Sequence, residues 1–199
     1  MHVVIRVVAA VGSLRRGPAY RAVRAATIVA LQKQNFRIVH LSLQKTHIHL
    51  LVEADDRRAL SRGMQSFQIS AAKHLNRMIS KGRPGPRRKG AVFSGRYYAE
   101  VIQSPLQARR ALTYVLNNWR KHREDLDARG VQGGYDWYSS GWSFPDWAEF
   151  SDDPVFHPPP SGYEPLLVRQ PTTWLLRTGW KKHHGLISFL DVPSQRSAR

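Results

Sequence analysis

Two histidines separated by one residue, His47 and His49, lie in a run of β-branched and aliphatic residues. Alternate residues of a strand point to the same face of a sheet, so both imidazoles project together while Ile48, Leu50 and Val52 are buried on the opposite face. Two imidazoles on one strand can chelate a divalent metal ion. The simpler interpretation is a solvated strand edge, which the three residues by themselves favour.

A second pair of chemically useful side chains lies near residue 114. Tyr114 and Asn118 are four residues apart in a segment with helical periodicity, so they share one face of the predicted helix. A phenol can act as a nucleophile, and an amide oxygen can bind a metal ion. A tyrosine in such an apolar context is more often a core residue, so the functional interpretation depends on its combination with the histidine pair.

The charge of the chain points to a polyanionic partner. Of 199 residues, 31 are Lys or Arg and 14 are Asp or Glu, a formal net charge of +17. Residues 1–123 hold 24 basic and four acidic residues, whereas residues 124–199 hold seven basic and ten acidic ones. Lys and Arg bind nucleic-acid phosphates with release of counterions, so we expect the first region to bind nucleic acid.

Composition excludes several classes of protein. The chain has no cysteine, which excludes a disulfide scaffold, a thiolate zinc site and a cysteine nucleophile. A hydrophobic share of 42% is typical of a folded chain rather than a disordered one. No run of eighteen apolar residues and no signal-peptide pattern occurs, so we expect no membrane association and a cytoplasmic location.

The elements that must position these residues alternate in a recognisable order. The apolar patterns predict strands at residues 2–10, 36–43 and 47–53, and a fourth strand region at residues 92–93 and 96–103. Helices are predicted at residues 19–34, from an N-cap at residues 55–56 to residue 79, and at residues 106–123. This order predicts an α+β fold: a ferredoxin-like βαββαβ unit with a four-stranded antiparallel sheet and helices on one face.

Residues 124–199 have a different composition. They are slightly acidic and rich in Gly and Pro, yet they hold five of the six tryptophans: Trp137, Trp142, Trp147, Trp174 and Trp180. We predict a Trp-rich C-terminal extension that packs onto the core formed by residues 1–123, with one short helix near residues 173–184. No motif assigns a function to this extension.

Three segments in this order resemble the HUH endonucleases, specifically the single-tyrosine transposases and, among them, the REP-associated tyrosine transposases. Residues 46–53 are similar to the family's strand with the His-hydrophobic-His motif. Residues 93–98 are similar to its aromatic and arginine segment before the last strand, and residues 111–118 to its tyrosine helix. The resemblance covers residues 1–123, which we therefore interpret as the catalytic domain.

The resemblance implies metal-assisted cleavage and joining of single-stranded DNA that contains a hairpin. His47 and His49 would hold Mg²⁺ or Mn²⁺ together with Asn118. Trp119 stands where many members have a proline, so Asn117 is the alternative third ligand. Tyr114 would attack the scissile phosphorus and remain attached as a 5′-phosphotyrosine, which makes the protein a transposase with a tyrosine nucleophile.

Many cations are predicted to bind backbone phosphates, which position DNA without reading its sequence. They are Arg57, Arg58, Arg62, Lys73, Arg77, Arg83, Arg87, Arg88, Lys89, Arg96, Arg110 and Lys121. Two further tyrosines, Tyr97 and Tyr98, lie in a predicted strand and point to opposite faces, so only one of them can face the site. We interpret them as base-stacking or core residues.

The alternative is a non-catalytic, domesticated protein that binds a DNA hairpin or RNA. A ferredoxin-like sheet with a basic surface is also typical of RNA-recognition modules. However, the sequence lacks their aromatic and glycine signature, and the histidines occupy the strand where it belongs. The sequence leaves open whether the protein is a monomer or a homodimer and which DNA sequence it binds.

Overall fold

The computed structural model describes residues 1–124, 134–150, 161–182 and 184–193. These residues form β1 (His2–Arg6), α1 (Gly17–Leu31), β2 (Phe36–Leu43), β3 (His47–Ala54), α2 (Arg57–Ser80), β4 (Tyr98–Glu100), α3 (Pro105–Lys121) and α4 (Trp174–Arg177). The four strands form an antiparallel sheet in the order β2-β3-β1-β4. This order confirms the ferredoxin-like prediction, and β3 lies between two neighbours.

The sheet separates two apolar layers. On one face Ile48, Leu50 and Val52 pack against α1 and α2. On the other face Val39 and Leu51 pack against α3 and the C-terminal extension. Since side chains alternate along β3, its histidines lie on the α3 face, as the period-two pattern predicts.

Side-chain caps determine where the two long helices begin. The carboxylate of Asp56 accepts a hydrogen bond of 2.6 Å from the backbone nitrogen of Ala59 at the start of α2. The hydroxyl of Ser104 accepts one of 3.2 Å from the backbone nitrogen of Gln107 at the start of α3. Both caps satisfy backbone donors that have no partner inside the helix, which confirms both predicted starts.

Several boundaries differ from the prediction. α1 begins before Pro18, because a proline in the first helical turn sacrifices no hydrogen bond, and it ends at Leu31, where a polar run follows. β1 ends at Arg6, since the chain turns into a 3-10 helix at Ala9–Val11. α3 ends two residues early, before Arg123 adopts a positive φ of 55°.

The fourth strand is shorter than predicted. β4 pairs only with β1, and residues 92–93 contribute a single bridge between Phe93 and Val7. Gly95 has a φ of 146°, so the chain turns between this bridge and β4. The fourth strand region is therefore divided into two short pieces.

The described part of the C-terminal extension contributes side chains to both apolar layers, and its buried tryptophans lie on the α3 face of the sheet. Trp147 and Trp180 are fully buried there with Phe144. The predicted helix near residues 173–184 is divided into α4 and a 3-10 turn at Gly179–Lys181. No helix in the described ranges is both long and apolar enough for a membrane span.

Glu53 at the end of β3 holds the extension in place. Its carboxylate accepts hydrogen bonds from the backbone nitrogen and the hydroxyl of Thr172, at 2.8 and 2.9 Å. It also accepts hydrogen bonds from the backbone nitrogen and the hydroxyl of Thr173, at 2.9 and 2.6 Å. Burial opposes ionisation of Glu53, but these four hydrogen bonds outweigh burial and lower the pKa of the carboxyl.

We expect Glu53→Gln to lower the free energy of unfolding by about 2 kcal/mol at pH 7, because an amide leaves some of these donors without an acceptor. The pKa of Glu53 is lower in the folded chain, so its contribution is present above the unfolded pKa of about 4.3 and is lost as the pH falls through the folded pKa. Urea unfolding at pH 7 and pH 3 measures both effects.

The control is Glu164→Gln, because Glu164 is largely exposed and its ion pair with Arg24 at 3.0 Å lies at the surface. This change should alter the unfolding free energy by less than about 0.5 kcal/mol. The proposed role of the ionised carboxylate would be contradicted if Glu53→Gln lowered the free energy of unfolding by the same amount at pH 7 and at pH 3.

Candidate active site

The histidine pair lies on a central strand and is shielded from solvent. The ring centroids of His47 and His49 are 4.6 Å apart and the rings meet edge to face. His49 is buried, with 4% of its surface exposed, and His47 is half-buried. The simpler interpretation of these residues as a solvated strand edge is therefore wrong.

Both imidazoles are neutral at physiological pH. Burial lowers the pKa of His47 to about 4, and the nearby charges of His122 and Arg6 act in the same direction. Burial lowers the pKa of His49 to about 2, with further contributions from neighbouring histidines. A neutral imidazole is the form that offers a lone pair to a metal ion.

Tyr114 lies directly against this pair. α3 crosses the face of the sheet and places the phenol ring 5.1 Å from the ring of His49, centroid to centroid. The Nζ atom of Lys121 lies 4.9 Å above the centre of the Tyr114 ring. Tyr114 is half-buried and lines a groove, so the core interpretation is wrong and the two sequence motifs form one site.

Asn118 follows Tyr114 by one helical turn and is completely buried. Neither its Oδ1 nor its Nδ2 atom has a hydrogen-bond partner among the described residues. Asn117, the alternative ligand, donates from Nδ2 to the carbonyl of Ser188 at 2.9 Å. α3 continues through the buried Trp119, so Asn118 stays on the face of the helix that bears Tyr114.

The donor set fits a divalent ion. The Nε2 atom of His49 is also buried without a hydrogen-bond partner in the part of the chain that the structure describes. A buried polar atom without a partner costs about 1–3 kcal/mol, and a bound ion would remove that cost at His49 and at the Oδ1 atom of Asn118. The described residues contain no group of three or more His, Cys, Asp or Glu side chains that could hold a metal ion, so a metal site here would need a ligand of another type, such as the amide of Asn118.

A groove of about 890 Å³ passes over His49 and Tyr114, between β4, α3 and the end of the extension. Three cations line it: Arg109, Arg110 and Lys121. Sequence reasoning missed Arg109, which donates to the carbonyls of Gly185 and Leu186 at 2.6 and 3.1 Å and so holds the extension against α3.

The two neighbouring tyrosines are separated as predicted. Tyr98 is 62% exposed and lines the groove. Tyr97 packs against the apolar core on the other side of the sheet. Of these two tyrosines, Tyr98 is therefore the one whose ring is exposed in the groove.

The remaining predicted phosphate contacts lie away from the groove. Arg57, Arg58, Arg62, Lys73 and Arg77 are exposed on α2, which covers the opposite face of the sheet. Cations of α1, α2 and the following loop line a second groove of about 490 Å³; they include Arg21, Arg77, Lys81 and Arg87.

Four predicted contacts lie outside both groups. Arg83, Lys89 and Arg96 are exposed on loops. Arg88 instead stabilises its own loop, because its guanidinium donates to the carbonyls of Gly90 and Ala91 at 3.0 and 2.8 Å. We therefore expect Arg88 to contribute less to phosphate binding than its neighbours.

Two further residues with structural roles, His2 and Arg15, could not be identified from the sequence pattern. His2 stacks on His49, with 5.3 Å between ring centroids. Arg15 donates two hydrogen bonds to Asp136, at 2.8 and 2.9 Å, and joins the loop before α1 to the extension. Both pairs are distant in sequence, and the spacing of residue types contains no information about them.

The comparisons with known proteins agree with this geometry. A family model described as IS200-like transposase matches residues 1–118. The matched range contains the histidine pair, Tyr114 and Asn118, and it confirms the resemblance to single-tyrosine transposases. Comparisons with curated proteins and with solved structures found no match.

Proposed function

The chain belongs to the family of IS200-like transposases, and on this basis we propose that it cuts and rejoins single-stranded DNA through a covalent bond to Tyr114. The family indicates a transposase that acts on DNA. The observation that supports the finer proposal is the packing of Tyr114 against His49, one turn from a buried amide that has no hydrogen-bond partner among the described residues. A purely structural tyrosine would not require such an arrangement.

The proposed reaction is an exchange of ester bonds at phosphorus. The Oη atom of Tyr114 loses its proton to solvent and forms a bond to the scissile phosphorus. The bond between phosphorus and the 3′ oxygen breaks, and that oxygen takes up a proton and leaves as a free 3′ hydroxyl. The fragment that carries the 5′ phosphate remains on Tyr114, and attack by another 3′ hydroxyl on that phosphorus breaks the bond to Tyr114 and joins the strands.

His47, His49 and Asn118 would hold the divalent ion, Mg²⁺ or Mn²⁺. When bound, it supplies Lewis-acid polarisation of the scissile phosphate. Lys121 lies over the phenol ring, where its ammonium makes a cation–π contact with Tyr114. Arg110 lies in the same groove and is placed to bind a phosphate of the strand.

We propose that the second groove binds the backbone of a paired hairpin stem, while the unpaired strand enters the groove at Tyr114. The two grooves lie on opposite faces of the sheet. This separation of the two grooves supports separate binding of the stem and the unpaired strand. The strand that Tyr114 attacks must be unpaired, whereas a paired stem needs only phosphate contacts.

We expect Tyr98→Ala to weaken binding of single-stranded DNA by about 5- to 150-fold, since stacking on an aromatic ring contributes about 1–3 kcal/mol per base. The measurement is fluorescence anisotropy of a labelled single-stranded hairpin oligonucleotide from the flanks of the gene, at fixed salt and without metal. Tyr98→Phe keeps the ring and should bind like wild type. Equal DNA affinities for the alanine and phenylalanine variants would show that the Tyr98 ring does not contribute to DNA binding.

The proposed function is tested by mixing the protein with such oligonucleotides in Mn²⁺ and separating the products on a denaturing gel. A protein–DNA adduct is expected with the single strand and not with the same sequence as a full duplex. Tight, salt-sensitive binding without any adduct would favour the non-catalytic alternative.

A further inference from the structure

His2 contacts the buried metal-ligand candidate His49 from the neighbouring strand. The Nε2 atom of His2 lies 3.2 Å from the Nδ1 atom of His49, and both rings are buried. The pairing of β1 with β3 places His2 opposite Leu51 and Val4 opposite His49, so the two histidines are diagonal neighbours on one face. This contact is therefore fixed by the sheet itself.

In one of its two tautomeric forms, this contact leaves Nε2 of His49 available to a metal ion. For Nε2 of His49 to offer a lone pair, the proton of the neutral ring must be on Nδ1, where it acts as a hydrogen-bond donor. Nε2 of His2 is placed to accept that hydrogen bond. With Nδ1 satisfied in this way, the remaining nitrogen of His49 is the buried Nε2 that has no partner among the described residues.

His2 does not itself complete a metal-ligand group. Its Nε2 is directed at the imidazole of His49. Within the described ranges, His2 and its neighbours form no group of three or more His, Cys, Asp or Glu side chains that could hold a metal ion. Glu100 lies directly opposite His2 in the pairing of β1 with β4, on the same face of the sheet.

We propose that His2 is a positioning residue that holds His49 in the tautomer and orientation in which Nε2 binds the divalent ion. This inference rests on the proposed metal site. Through His2, β1 takes part in the site although it carries neither a metal-ligand candidate nor the nucleophile. Its ring also contacts Tyr114, with 5.7 Å between centroids, so loss of His2 also removes packing from the nucleophile.

The test is a calorimetric titration of the DNA-free protein with Mn²⁺ at constant pH, which measures metal affinity without activity. We expect His2→Ala to weaken Mn²⁺ binding by about 10- to 100-fold, the usual effect of removing a group that orients a metal ligand. His2→Gln should restore most of the affinity, because its amide oxygen can accept from Nδ1 of His49. Circular dichroism shows whether each variant folds.

The control is His40→Ala. His40 is also a buried imidazole of the sheet, but it is hydrogen-bonded to Ser140 at 3.0 Å and its ring packs against Phe144. This variant should bind Mn²⁺ like wild type. If wild type binds Mn²⁺ and folded His2→Ala binds it equally well, the role of His2 is refuted while the metal site stands. If wild type binds no Mn²⁺, the metal site and the role of His2 fail together.

Discussion

Tyr114→Phe is expected to form no covalent adduct with DNA while it folds and binds DNA like wild type. The substitution removes only the Oη atom, and the ring that packs against His49 and His2 is retained. Without a nucleophilic oxygen the phosphoester bond to the protein cannot form, so the adduct should fall by a factor of at least about 10³. The measurement is the denaturing-gel assay with single-stranded oligonucleotides and Mn²⁺.

Tyr97→Phe and Tyr98→Phe are the controls, because Tyr98 lines the same groove as Tyr114 and Tyr97 is its neighbour in the chain. Tyr97 packs in the core and Tyr98 is exposed at the groove wall. Both variants should keep the adduct at the wild-type level. An adduct that persists in Tyr114→Phe and disappears in Tyr98→Phe would show that the nucleophile is Tyr98 in β4 and not Tyr114 in α3.

The second large effect is expected for His49→Ala. His49 is the more deeply buried of the two histidines and the one whose Nε2 has no partner among the described residues. Its loss should weaken Mn²⁺ binding by at least about 100-fold and reduce adduct formation to traces, because one of the three proposed ligands is gone. DNA affinity measured without metal should stay close to wild type, since the cations that contact phosphates are unchanged.

His122→Ala is the control for this experiment. His122 is exposed, and its ring centroid is 6.2 Å from that of His47, so the variant removes a nearby imidazole without removing a ligand. It should leave Mn²⁺ affinity unchanged. Full adduct formation by His49→Ala, or by wild type in the presence of a strong chelator, would contradict the metal-assisted mechanism.

The elements of the fold and the two motifs could be predicted because both depend on local periodicity. Alternation along β3 places His47 and His49 on one face, and a spacing of four places Tyr114 and Asn118 on one side of α3. That these motifs meet was predicted only through the family resemblance. Physically, they meet because α3 packs on the face of the sheet that α1 and α2 leave uncovered.

The features that could not be predicted depend on contacts between distant residues. His2 and His49 are 47 positions apart, and Arg15 and Asp136 are 121 apart. A count of basic residues likewise predicts a nucleic-acid partner without showing that the α2 cations lie on the face opposite the site. Of the predicted phosphate contacts, only Arg110 and Lys121 line the groove at Tyr114.

Peptide mapping of the trapped adduct tests the central claim most directly. Trypsin cleaves after Arg110 and Arg120, so Tyr114 is the only tyrosine in the peptide of residues 111–120, whereas Tyr97 and Tyr98 fall in the peptide of residues 97–109. After nuclease digestion of the adduct, mass spectrometry should find a nucleotide attached through its 5′ phosphate to the peptide that contains Tyr114. A nucleotide on residues 97–109, or on a peptide without tyrosine, would contradict the assignment.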